Sequence, residues 1–128
     1  MTEYGEKEAK AGLKEKLPAI ETFPNQYSGY EIEIEIPEFT SVCPKTGLPD
    51  FATITIRYSP LDYCVELKSF KYYIHSFRNV GIFHEHAVNR ILDDFVRSCR
   101  PRWAEIEGVF NPRGGITTVV RRSYKKKR

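Results

Sequence analysis

The chain of 128 residues carries 41% hydrophobic and 29% charged side chains and a formal net charge of +3; this is the make-up of one soluble globular domain and excludes disorder, collagen and coiled coil. No apolar run approaches the roughly 18 to 20 residues of a membrane span, and Met1-Thr-Glu-Tyr-Gly-Glu-Lys-Glu8 lacks the basic and apolar regions of a signal peptide, so a cytoplasmic protein is expected. Cys43, Cys64 and Cys99 are odd in number and widely spaced, which fits reduced thiols rather than a disulfide framework.

Residues 1–29 hold many charges and the breakers Gly5, Gly12, Pro18, Pro24 and Gly29 without periodicity, and are expected to form a mostly extended arm. Over 30–36, Tyr-Glu-Ile-Glu-Ile-Glu-Ile alternates at a period of two and predicts a half-buried strand that Pro37 ends. Phe39-Thr-Ser-Val-Cys-Pro-Lys-Thr-Gly-Leu-Pro-Asp50 reads as a loop, residues 51–58 as a second strand, and 63–65 as a short one. The period then changes: Leu67, Phe70, Tyr73, Ile74 and Phe77 predict a helix over 68–79, and the apolar pairs from Ile82-Phe83 to Phe95-Val96 predict another over 82–100, stopped by Pro101. Residues 103–110 and 116–122 read as strands joined by Asn111-Pro-Arg-Gly-Gly115, whose paired glycines allow positive φ. The folded domain is thus expected at 30–122, with a frayed basic tail at 123–128. The six basic residues from Arg121 onward could touch nucleic acid, but a solvated tail is the plainer reading.

Two strands, two helices and two strands predict an α+β fold, an antiparallel four-stranded sheet with both helices on one face. Its two open edges invite pairing with further copies of the chain, so a homo-oligomer is expected.

Cys43 stands out by position, because it lies in a Pro- and Gly-rich loop seven residues before Asp50, whereas Cys99 and Cys64 are expected to face the core. A nucleophilic thiol needs donors that favour thiolate and an acid to handle protons; an inert loop thiol is the other reading of the same spacing. His84-Glu85-His86 opens the long helix, but two histidines two positions apart point to different sides of a helix and no Cys-x-x-Cys adds ligands, so no metal is expected. Glu85 could complement the helix dipole or accept hydrogen bonds from a guanine-like edge. Lys68, Lys71, Arg78 and Arg113 could be solvated surface or a phosphate-binding cluster, and no glycine-rich phosphate loop is present.

Glu66-Leu-Lys-Ser-Phe-Lys-Tyr-Tyr73 resembles the signature octapeptide of the NADPH-dependent 7-cyano-7-deazaguanine reductases, the nitrile reductases of queuosine biosynthesis. Ser41-Val-Cys-Pro-Lys-Thr-Gly-Leu-Pro-Asp50, Phe77-Arg-Asn79, Phe83-His-Glu85 and Asn111-Pro-Arg-Gly-Gly115 resemble further segments of that family, in the same order. The resemblance implies the tunnelling fold (T-fold), with subunits closing into an oligomeric barrel, here a decamer of two stacked pentamers. It implies that Cys43 adds to the nitrile to form a thioimide, that Asp50 is the general acid and that His84 assists it. Glu85, with Glu66 and Ser69, is expected to bind substrate, and Lys68, Lys71 and Arg113 to bind NADPH, two of which are consumed per turnover. Neither a membrane nor nucleic acid is required. An amidinotransferase-type relative acting on tRNA would lack the octapeptide, and a non-catalytic ring-forming module would have no need of Cys43, Asp50 and Glu85 together.

Overall fold

Glu31, Glu33 and Glu35 are exposed while Ile32, Ile34 and Ile36 are half-buried, as the period-two pattern requires. The computed structural model describes residues 5–127; residues 1–4 of the expected arm and Arg128 of the expected tail lie outside the described residues. The elements in chain order are α1 (Glu6–Ala9), β1 (Thr22–Pro24), β2 (Ile32–Val42), β3 (Pro49–Ser59), β4 (Tyr63–Val65), α2 (Leu67–His75), a 3₁₀ turn over Ser76–Asn79, α3 (His84–Cys99), β5 (Trp103–Arg113) and β6 (Ile116–Lys125). β1 pairs with β4, and the four long strands form an antiparallel sheet in the order β2-β3-β5-β6.

The inward rows of the sheet and both helices meet in one core. Ile54, Ile56 and Ile106 from the sheet cluster with Phe70 of α2 and Val88, Ile91 and Phe95 of α3, and each such side chain contributes about 1.5–3 kcal/mol by leaving water. Phe95 meets Tyr58 edge-on at 4.8 Å and Phe70 edge-on at 5.6 Å, so the two helices and β3 share one aromatic joint. At Gly108 of β5 the helix comes close to the sheet: a Cβ there would lie 2.6 Å from a Val88 methyl carbon.

The larger departures from the sequence expectation fall at three places. Pro37 does not end β2; the register slips between Ile36 and Phe39, inserting one extra residue, and the strand continues to Val42. β2 is an edge strand, and a bulge on an edge is where a residue without an N–H costs no ladder hydrogen bond. The tail does not fray at 123, because Lys125 pairs with Trp103 and Lys126 N–H donates to Arg102 O at 2.9 Å. Backbone pairing is indifferent to the charged side chains there, and half-buried Tyr124 packs on the core. The arm contains a helical turn and a strand, β1, instead of being extended throughout.

Gly114 and Gly115 have φ of +58° and +81° between the paired residues Arg113 and Ile116. A two-residue turn with both φ positive matches the twist of the flanking strands, so β5 and β6 form the tight hairpin expected of the paired glycines, and Arg113 is held at its mouth.

Candidate active site

β2 and β3 are joined by residues 43–48. Cys43 N–H donates to Leu48 O and Gly47 N–H to Cys43 O, both at 2.9 Å, with Gly47 at φ +74°. The loop is therefore a closed turn that presents a half-buried Cys43 immediately beyond the Val42–Pro49 pair. Burial pushes the thiol up, but the Thr46 hydroxyl and the backbone N–H groups of Thr46 and Lys45 act on the thiolate as donors. Together they outweigh burial and the opposing Asp50 charge and hold the Cys43 pKa below the ordinary thiol value.

Asp50 pairs with Ser41 across the β2–β3 ladder and is the first inward residue of β3, in line with Ala52, Ile54 and Ile56. Its residue is only 4% exposed, and a carboxylate so placed must be compensated. His84 Nε2 lies 3.2 Å from Oδ2, and the Arg113 guanidinium donates to Oδ1. His84 comes from the first turn of α3 and Arg113 from the end of β5. The His84 ring is itself fixed, stacked on Phe110 with centroids 3.8 Å apart and planes 7° from parallel. Glu85, next on α3, is exposed.

The structure thus gathers Cys43, Asp50, His84, Glu85 and Arg113 around one end of the sheet. Arg113, expected to serve the cofactor, is the ion-pair partner of the buried acid. The α2 residues are placed differently. Glu66 caps that helix, accepting from Lys68 N–H at 2.7 Å and Ser69 N–H at 2.9 Å, which holds its carboxyl below the usual range. Buried Ser69 donates to Glu66 O and accepts from Glu21 N–H at 2.8 Å. Both residues, expected to bind substrate, start α2 or hold the arm in this structure. Lys68 and Lys71 are exposed on α2. Lys71 borders a groove of about 290 Å³ between α2 and the β2 edge, lined also by Ile34, Ile36, Pro37 and Leu67. Two ammonium groups one turn apart suit phosphate oxygens, so these residues fit a nucleotide phosphate.

Thr46 and Phe110 are site residues that sequence reasoning missed. A hydroxyl three residues beyond Cys43 in a turn was a usable signal for Thr46. Phe110 carried none, because its contact with His84 is made only when β5 meets the start of α3. Cys64 and Cys99 are buried away from this turn. Among the described residues no group of three or more His, Cys, Asp or Glu lies together as a metal site, and no helix is long and apolar enough to cross a membrane.

A donor-stabilised thiol beside a buried, doubly braced carboxyl is a site fit for thiol addition with proton delivery. The family model of QueF-like proteins matches residues 49–128. Curated relatives named NADPH-dependent 7-cyano-7-deazaguanine reductase include one from Elusimicrobium minutum, 53% identical over 97% of this chain and 95% of its own length. Another, from Chloroherpeton thalassium, is 58% identical over 85% of this chain and 96% of its own. The apo crystal structure of an archaeosine synthase QueF-Like superposes with a TM-score of 0.72 at 19% identity, covering 80% of this chain and all of that one, and shares the fold. The chain belongs to the QueF-like family.

Proposed function

We propose that this protein is an NADPH-dependent reductase that converts the nitrile of 7-cyano-7-deazaguanine to the aminomethyl group of 7-aminomethyl-7-deazaguanine, a step toward queuosine. The observation that carries the mechanism is the placement of the lowered Cys43 thiol beside the buried Asp50 and its partner His84. Cys43 passes its thiol proton to Asp50 and adds as thiolate to the nitrile carbon, while Asp50 delivers that proton to the nitrile nitrogen, leaving a covalent thioimide and an Asp50 carboxylate. Arg113 holds that carboxylate as an ion pair, and His84, 3.2 Å from it, assists its proton transfers. Glu85, exposed beside His84, accepts hydrogen bonds from the guanine-like edge. Bound NADPH supplies hydride, and two are consumed because nitrile to amine is a two-hydride reduction. Lys68 and Lys71 hold its phosphates.

The α2 residues Lys68 and Lys71 sit on a different element from Cys43, and a homo-oligomer lets one subunit supply the cofactor grip and its neighbour the thiol. The edge strands β2 and β6, 11 and 10 residues long, support closure of tunnelling-fold subunits into a barrel, in two stacked pentamers. Such an enzyme suits a reducing cytoplasm, where Cys43 stays a thiol.

Purified protein mixed with the nitrile and no NADPH gains the full mass of one substrate, since thiol addition loses no atoms. Cys43→Ala gains nothing. An adduct that survives Cys43→Ala, or NADPH that is not consumed when the nitrile is added to the wild type, would overturn the reading. Light scattering that returns a monomer at micromolar concentration would remove the barrel.

A further inference from the structure

The segment 80–82 lies between the N-terminal arm and the Cys43 turn. On one side, Val42 N–H donates to Val80 O at 3.0 Å and Ile82 N–H to Val42 O at 2.9 Å. Gly81 also packs on Pro44, whose Cα would lie 3.6 Å from a Cβ at Gly81. Both chain neighbours of Cys43 therefore rest on this segment. On the other side lies Gly12, at φ +79°, where a Cβ would stand 2.7 Å from Gly81 O and from Ile82 Cβ and 3.0 Å from a Val80 methyl. Only glycine allows the arm to approach so closely. Two residues beyond Ile82 comes His84, the partner of Asp50.

The arm is clamped there from α3. The Arg90 guanidinium donates to two of its carbonyls, Gly12 O and Glu15 O. Arg90 is aimed by Asp94, whose Oδ2 lies 3.3 Å from Nε and also accepts from the Tyr73 hydroxyl of α2. The Arg90 side chain is 13% exposed. A forked, largely buried donor spent on a segment more than 70 residues away in sequence is a specific link and not a solvated charge.

We propose that Gly12 and Arg90 are positioning residues for the reaction: the clamp presses the arm onto 80–82 and so sets the Cys43 turn against the His84–Asp50 pair. Misplacing reacting groups by about 1 Å costs on the order of 10² in rate. The inference rests on Cys43, Asp50 and His84 being the reacting groups.

The test uses the full chain with Gly12→Ala, Arg90→Gln and Arg90→Lys. It reads melting temperature, the pH profile of Cys43 alkylation by iodoacetamide, and kcat and KM. Gly12→Ala and Arg90→Gln should lower kcat by tenfold or more and move Cys43 alkylation toward the profile of an ordinary thiol. KM for NADPH should stay within about twofold, because the cofactor lysines of α2 are untouched. Arg90→Lys, which keeps the charge beside Asp94 but cannot fork to both carbonyls, should fall between; it decides the matter if Gly12→Ala does not fold. Variants that melt lower yet keep wild-type kcat and alkylation profile would reduce the arm to a clasp and overturn the proposal. A wild type that forms no nitrile adduct would instead overturn the proposed function, and positioning would then be judged on the alkylation profile, which needs no substrate.

Discussion

Burial acts on both Cys43 and Cys99, yet the two thiols end displaced in opposite directions. Cys99 sits at the end of α3 in the core, completely buried, and burial raises its thiol to about 12. Cys43, only half-buried at the mouth of a turn, meets a smaller penalty of the same kind, and there the Thr46 hydroxyl and two backbone N–H groups favour the thiolate and reverse the sign. The number of donors facing the sulfur, and not depth alone, separates a packing residue from a nucleophile. A parallel contrast holds along one row of β3: Ile54 and Ile56 fill the core, while Asp50 on the same face sets a carboxyl there that His84 and Arg113 partner.

The largest effect expected from breaking this contrast is at the acid. Asp50→Asn keeps the shape of the side chain but removes the transferable proton, so formation of the Cys43 adduct should slow by roughly 10². Intact-protein mass spectrometry over time reads this directly; an unchanged rate would mean that the proton comes from elsewhere. A smaller effect is expected at the donor. Thr46→Val removes the side-chain hydrogen bond and leaves the backbone ones, so alkylation of Cys43 at neutral pH should fall by roughly two- to tenfold, the equivalent of one hydrogen bond of about 0.5–1.5 kcal/mol. Identical alkylation profiles would show that the backbone of the turn suffices.

The smallest effect concerns the core thiol and sharpens the other side of the comparison. In the unfolded chain Cys99 titrates near about 8.5, and in the folded protein near about 12. The folded state holds the proton more tightly, so this contribution to stability is complete below the unfolded value and is lost as pH rises from there toward 12. Tyr58 and Tyr73, both raised chiefly by burial, add losses of the same sign above about pH 10. Melting temperature should therefore decline between pH 8 and 11, and Cys99→Ala should flatten the first part of that decline while forming the nitrile adduct normally. A flat profile in the wild type would contradict the assignment of Cys99 to a closed core.

Periodicity was sufficient for most of the elements because it is a local property. The Ile and Glu alternation, the helical spacing through Phe70, Tyr73 and Ile74, and the glycine pair at 114–115 each determine conformation through residues that are neighbours in the chain. The same holds for the closed turn at Cys43, which prolines and a glycine dictate from within. Everything that joins remote segments was decided only in the tertiary structure. Pro37 remains in a strand because β2 lies at an edge, and residues 123–125 remain ordered because β5 offers them a ladder. Arg113 meets Asp50 because β3 and β5 are antiparallel neighbours, and β5 ends where β3 begins. Ser69 is tied to the arm because Glu21 arrives beside it and donates its N–H to the hydroxyl. Such contacts depend on which surfaces bury together, and a pattern of neighbouring residues holds no record of a partner fifty positions away.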